Sequence, residues 1–328
     1  NTLKRSYDLP SGTWKVEYYS FGLTHGDPVG KLVAVDSGNS WENDNGGAGG
    51  NFRIVQTGIS GDQQLEFHIR GADGFTAGEF RYRIYEGQPV FSTATGQINL
   101  TGDFRVQNDA AVNIAEKIAG TGSLTKAGAG ELTLSGANAY GGGTALEGGT
   151  LLLGSAGAIG TTGSIEFAGG ALKHSTSNST DYSGRFSTAP SQHYKVDTNG
   201  RNITWASALS STQGQLTKLG AGVLTLSNAS TYSGSTSIEA GALSVSGSLS
   251  DQTAVTIAGS ATYNVNASDT IGSLSGEGVV STSTSGTKIL TVGADDSSTT
   301  FSGVIQNGSG TLGLTKTGDG TLTLSDAN

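Results

Sequence analysis

The chain has 328 residues, including 53 Gly but no Cys or Met; 14 % of residues are charged, 34 % are hydrophobic, and the formal net charge is −9. So much glycine without a three-residue period excludes both a helical bundle and collagen, and the small net charge per residue argues against disorder. Without Cys there is no disulfide framework, thiol nucleophile or thiolate metal site. A pI near 4.9 with no Lys/Arg clusters argues against nucleic acid or an anionic membrane as partner, and no run reaches the ~18 apolar residues of a membrane helix. Because the chain begins at Asn1 and contains no Met, it is expected to be a processed product or a piece of something longer.

Residues 1–96 hold 13 of the 23 aromatic residues and 19 of the 45 formal charges. This places a boundary near Gly96 and predicts a separate small antiparallel β-sandwich-like domain, acting as a cap or binding module. Trp14, Val16 and Tyr18 share one face of a predicted strand. Leu65, Phe67 and Ile69 alternate with Glu66, His68 and Arg70, and Phe80, Tyr82 and Ile84 alternate with Arg81 and Arg83. Six or seven such strands suit this length. The polar, Gly-rich segment 36–51 is expected to be a long exposed loop, in which Trp41, Asn43 and Asp44 are the candidate ligand-binding residues. An exposed indole stacks on a sugar face while neighbouring amides and acids bind hydroxyls; the competing reading folds Trp41 back as a core plug.

Residues 97–328 are repetitive. GSLTKAGAGELTLSGANAYGGGTALEGGTLLL at 122–153 returns at 214–245 with an offset of 92 and no gap, and LTKTGDGTLTLSDAN begins a third copy at Leu314, offset 98 from the second. Leu132/Leu134, Leu224/Leu226 and Leu322/Leu324 alternate with Thr and Ser, predicting strands with an aliphatic inner and a hydroxyl outer face. Gly128/Gly130, Gly220/Gly222 and Gly318/Gly320 read as tight corners needing positive φ. Between a conventional barrel or sandwich and a parallel β-helix, repetition favours the β-helix, with small and medium aliphatics inside. At about 20 residues and ~4.8 Å per rung, 232 residues make 11 or 12 rungs.

The pattern Gly-x-Leu-Thr-Lys-x-Gly-x-Gly-x-Leu-Thr-Leu-Ser, followed by Tyr140-x-Gly-Gly-Thr or Tyr232-Ser-Gly-Ser-Thr and by Glu147-Gly-Gly or Glu239-Ala-Gly, closely resembles the autotransporter-associated β-strand repeat. That resemblance covers residues 97–328 and implies a secreted passenger region folded as a right-handed parallel β-helix on a bacterial surface. Residues 1–96 match no family.

Catalytic and metal motifs are sparse. His25, His68, His174 and His193 stand in no metal-ligand spacing, so no metal and no cofactor is assigned. Gly308 to Gly313 satisfies G-x-G-x-x-G but precedes another β repeat, where a dinucleotide fingerprint needs a helix; it reads as a corner. Among acids for a polysaccharide-degrading site, the non-repeat Asp181, Asp197, Asp295 and Asp296 are the candidates, since Glu147 and Glu239 recur with the repeat. Lys126, Lys218 and Lys316 are too far apart to form a ligand stripe and read as solvated corner residues. The expectation is a non-enzymatic extracellular structural or adhesive protein. Its partners are either further repeats of a longer chain or a second copy joined head to tail into a fibre, with a surface glycan or protein as ligand of residues 1–96. The alternatives are a carbohydrate- or protein-binding module on a β-helix spacer, and a β-helical polysaccharide-degrading enzyme.

Overall fold

The computed structural model describes the backbone of nine strands between Thr2 and Leu100, and residues 102–326 in full. The chain divides into two compact units, Asn1–Gln107 with Ala119–Thr125, and Asn108–Ile118 with Lys126–Asn328.

In the first unit the alternating stretches form strands that pair antiparallel. Gln64–Gly71 lies between Thr2–Asp8 and Pro28–Ala34, and Thr13–Phe21 lies between Arg53–Ser60 and Glu79–Glu86. Segment 36–51 is not a continuous loop, because Ser40–Asp44 pairs antiparallel with Pro28–Ala34 and sets Trp41 opposite Leu32. The alternation Ser-Trp-Glu-Asn-Asp is short but extended, and a neighbouring strand edge supplies the partner that its polar composition did not advertise.

The second unit is a parallel β-solenoid of about 11 turns, almost free of helix. Its longest sheet stacks eleven strands from Val112–Ile114 to Leu322–Leu324. Each strand pairs in parallel with one 19 to 25 residues later. In the later turns a six-stranded and a three-stranded sheet form two further faces.

The sequence copies do not stack on one another. Glu131–Leu134 of the first copy lies in the eleven-stranded sheet, its equivalent Val223–Leu226 lies in the six-stranded sheet, and Leu322–Leu324 is back in the eleven-stranded one. The cause is arithmetic. Nine steps of the long sheet separate Leu132 from Leu322, so a turn averages about 21 residues; 92 residues are then about four and a third turns and 98 about four and two-thirds. The second copy is therefore rotated by one face, and the third returns to phase.

Leu132, Leu134, Leu224 and Leu226 are 0–1 % exposed, whereas Thr133 and Thr225 face outward, as the alternation requires. The interior also differs from expectation, because it is not confined to small and medium aliphatics. Tyr140, Phe167, Tyr194, Trp205, Tyr232 and Tyr263 are among the largest fully buried side chains. Phe186 sits between two of them, with ring centroids 5.0 Å from Phe167 and 4.8 Å from Trp205, both edge-on. Here the turn is longer: Leu172 pairs with Val196, 24 residues on, against 19 between Leu132 and Leu151. A longer perimeter encloses more area, and rings fill it.

Candidate functional site

The repeat's most distinctive polar residue is its lysine, and its environment corrects the solvated-corner expectation. Lys126 and Lys218 are both 0 % exposed. Each lies at the end of a strand whose inward positions are otherwise aliphatic, so its stem packs in the core and its ammonium emerges under the following corner. Lys126 Nζ donates to the carbonyl oxygens of Ala127 (2.6 Å), Gly128 (2.8 Å) and Gly148 (3.2 Å). Lys218 Nζ repeats this with Leu219 (2.9 Å), Gly220 (2.7 Å) and Ala240 (3.0 Å). Three donors meet three acceptors, and the third belongs to the next turn, 22 residues later. The lysine thus clasps two successive corners, which explains why Lys-x-Gly-x-Gly and Glu-Gly-Gly or Glu-Ala-Gly recur together.

Glycines shape the clasp for two different reasons. Gly128, Gly220 and Gly318 have φ of 74°, 70° and 68°, the left-handed conformation expected of the corner. Of the second glycines, only Gly222 has a positive φ (92°). Gly130 and Gly320 are required for space, since a Cβ would stand 2.4 Å from the Ala110 oxygen and 2.3 Å from that of Ser297.

Burial pulls both ammonium groups down to about 8, with Asp109 opposing at Lys126 and Asp197 at Lys218. Both therefore remain charged at neutral pH.

A second device recurs with the repeat. Tyr140 and Tyr232, both fully buried, place their hydroxyls 2.7 Å and 2.5 Å from Thr144 and Thr236 Oγ1, which accounts for the five-residue motif beginning in Tyr and ending in Thr. Burial pushes Tyr140 up to about 12. Asn138 joins three turns, accepting from the Ile118 amide (2.7 Å) and donating to the Ala158 carbonyl (2.6 Å).

The four candidate acids do not converge on a groove; each carboxylate accepts from backbone amides of turns. Asp181 binds Ser183 and Ala206 N–H (both 2.8 Å), Asp197 binds Asn199 N–H, Asp295 binds Ser297 N–H and Asp296 binds Asp319 N–H. Asp269, which the sequence analysis passed over, is buried and accepts from the amides of Leu249 and Thr270 at 3.0 Å; burial raises its carboxyl to about 6.

His174 is fully buried, with Nδ1 3.2 Å from the Asn178 oxygen, and His193 Nε2 lies 2.8 Å from Thr217 Oγ1. Burial lowers both imidazoles. No group of three His, Asp or Glu among the described residues is placed to hold a metal ion. Of the literal G-x-G-x-x-G, Gly308 to Gly310 precede the strand Thr311–Lys316 and Thr311 to Gly313 lie within it, parallel to Thr287–Val292, so only the first half of the motif is at a corner. No helix among the described residues is long and apolar enough to cross a membrane. The side chains of Trp41, Asn43 and Asp44 lie outside the described residues, as do those of His25 and His68.

Sequence reasoning missed Lys126 and Lys218 as buried groups. The available signal was their place in the strand: in Leu-Thr-Lys each lysine stands two residues after a core leucine, on the inward side.

A family model described as passenger-associated-transport-repeat matches residues 124–153, 216–245 and 314–328, so three segments of the chain are copies of that repeat. The matched segments coincide with the lysine clasp and the strands it joins. No curated protein and no solved structure matches the chain.

Proposed function

We propose that this chain is a non-enzymatic structural segment of a passenger-type bacterial surface protein: a right-handed parallel β-helical stalk or filament segment, outside the cell, that displays residues 1–96 as a small β-sandwich-like module. The repeat match and the solenoid support a surface passenger-type protein. One observation carries the structural role. The polar groups most suggestive of chemistry are spent on the fold itself, with Lys126 and Lys218 on corner carbonyls, Tyr140 and Tyr232 on threonines, and the four turn acids on backbone amides. A catalytic pair would instead be aimed at a groove, with at least one carboxylate held away from such partners. Recognition then falls to the displayed module, with Trp41, Asn43 and Asp44 as its ligand contacts and a surface glycan or protein as the ligand.

The test combines turnover and binding. Incubated with acidic and neutral polysaccharides, the purified protein is expected to release no reducing ends or unsaturated products, and any retention on a glycan array is expected to fall at least tenfold in Trp41→Ala. Turnover abolished by Asp181→Asn or Asp197→Asn would replace this reading with the enzyme.

A further inference from the structure

Between the first two repeat copies the chain makes an excursion from the solenoid path. It leaves the strand Ala171–Lys173 at His174 and returns where Phe186 bridges Ile165 of the preceding turn. Residues 176, 177 and 179–181 are exposed, whereas His174 and Asn178 beneath them are 0 % and 2 % exposed. Asn178 is the hub. Its Nδ2 donates to the Ser155 carbonyl (2.7 Å) and to the Tyr182 hydroxyl (2.9 Å), and its Oδ1 accepts from the Thr180 amide (3.0 Å). Its backbone carbonyl accepts twice, from the Ser175 amide (3.4 Å) and from His174 Nδ1 (3.2 Å). A carbonyl oxygen only accepts, so Nδ1 carries the proton and Nε2 presents a bare lone pair. That Nε2 is buried and meets no hydrogen-bond partner among the described residues. A second proton can enter the ring only there, and it would create a buried charged donor with no acceptor. The site fits the neutral ring alone.

We infer that His174 is an acid-released latch on the excursion 175–182: neutral, it pins the Asn178 carbonyl and holds the loop down; protonated at Nε2, it no longer fits and the loop lifts. Two carboxylates face the ring and favour its charged form, Asp181 from the far end of the loop and Asp197 from the following turn. Neither bonds Nε2, because both accept from backbone amides, Asp181 from Ser183 and Ala206 and Asp197 from Asn199. Burial outweighs them and lowers the imidazole below its ordinary 6.5. The sign follows from linkage. A lifted loop lets His174 take a proton near 6.5 and a closed one does not, so the hold is complete above that pH and weakens as pH falls below it. Release uncovers Asn178 and Tyr182, both buried in the closed loop, and gives this turn a surface in mild acid that it lacks at neutral pH. The latch is a property of this turn and holds whatever the solenoid displays.

The experiment uses the 328-residue chain and amide hydrogen exchange read by mass spectrometry at pH 7.5 and pH 5.0, each rate divided by the intrinsic rate at that pH to give a protection factor. Protection of the amides in 175–182 is expected to fall about tenfold at pH 5.0, with about thirtyfold as the ceiling that one group of ordinary value 6.5 allows. Protection in 224–245 should change less than twofold. In His174→Asn, whose Nδ2 can take the place of Nδ1 as donor to Asn178 but cannot ionise, the fall in 175–182 should vanish. The parent chain carries a second test that needs no variant: nitrogen-15 NMR should show His174 Nε2 unprotonated at pH 6, where an ordinary imidazole is mostly charged. A loop equally protected at both pH values, an equal fall in His174→Asn, an equal fall in 224–245, or a His174 that titrates near 6.5 while the loop stays protected would each overturn the proposal.

Discussion

Lys218→Met is expected to lower the unfolding free energy of the solenoid by about 3 kcal/mol, although it removes a buried charge and keeps a side chain of similar length. Two effects compete. Holding a buried ammonium whose pKa falls from 10.5 to about 8 costs about 3 kcal/mol, and methionine relieves that cost. Against it, three corner carbonyls lose a charged donor, at about 2 kcal/mol each. The second effect is about twice the first. The pH dependence carries the opposite sign from that of a salt bridge. Between pH 8 and 10.5 the unfolded lysine holds its proton while the folded one releases it, so stability from this group rises with pH across that window and is lost as pH falls through 8. Urea titrations at pH 7 and pH 9.5 should therefore show a larger gap between the parent protein and Lys218→Met at the higher pH. A variant as stable as the parent at both would remove the clasp from the account.

Leu224→Ala is expected to cost roughly 2–5 kcal/mol. Leu224 is fully buried and stacked in register between Ile203 of the preceding turn and Leu243 of the next, both also buried. Truncation opens a void between two stacked turns that cannot close without shifting their register. Its outward neighbour Thr225 is the internal control, and Thr225→Ala should stay within about 0.5 kcal/mol. Urea midpoints for the two variants separate the inner from the outer face, and equal losses would contradict the alternation.

The alternation itself was legible without coordinates. Leu132, Leu134, Leu224 and Leu226 point inward because a strand has a period of two and the intervening residues are hydroxyls, an argument that needs only neighbours in sequence. Lys126 and Lys218 were not legible in the same way, since their burial depends on a carbonyl 22 residues away that becomes a neighbour only when a turn closes. Separation along the chain does not reveal the decisive group, a backbone oxygen on the adjacent turn. The aromatic core was missed because the expectation assumed uniform turns; the 24-residue spacing from Leu172 to Val196 widens the interior enough for Phe186 and Trp205. The rotation of the second copy by one face follows from 92 and 98 only once the turn is known to average about 21 residues, which the sheet order supplies and the assumed 20 does not. Ser40–Asp44 escaped because Gly and Asn on both sides masked a five-residue strand whose partner edge is not encoded locally.

The repeat's lysine is a buried clasp between turns. Amine acylation of the native protein, read lysine by lysine by peptide mass spectrometry, tests it most directly. Lys126 and Lys218 are expected to stay unmodified under conditions that label exposed Lys316 to completion, and all three to react alike in denaturant. Native labelling of Lys126 and Lys218 as fast as Lys316 would contradict it.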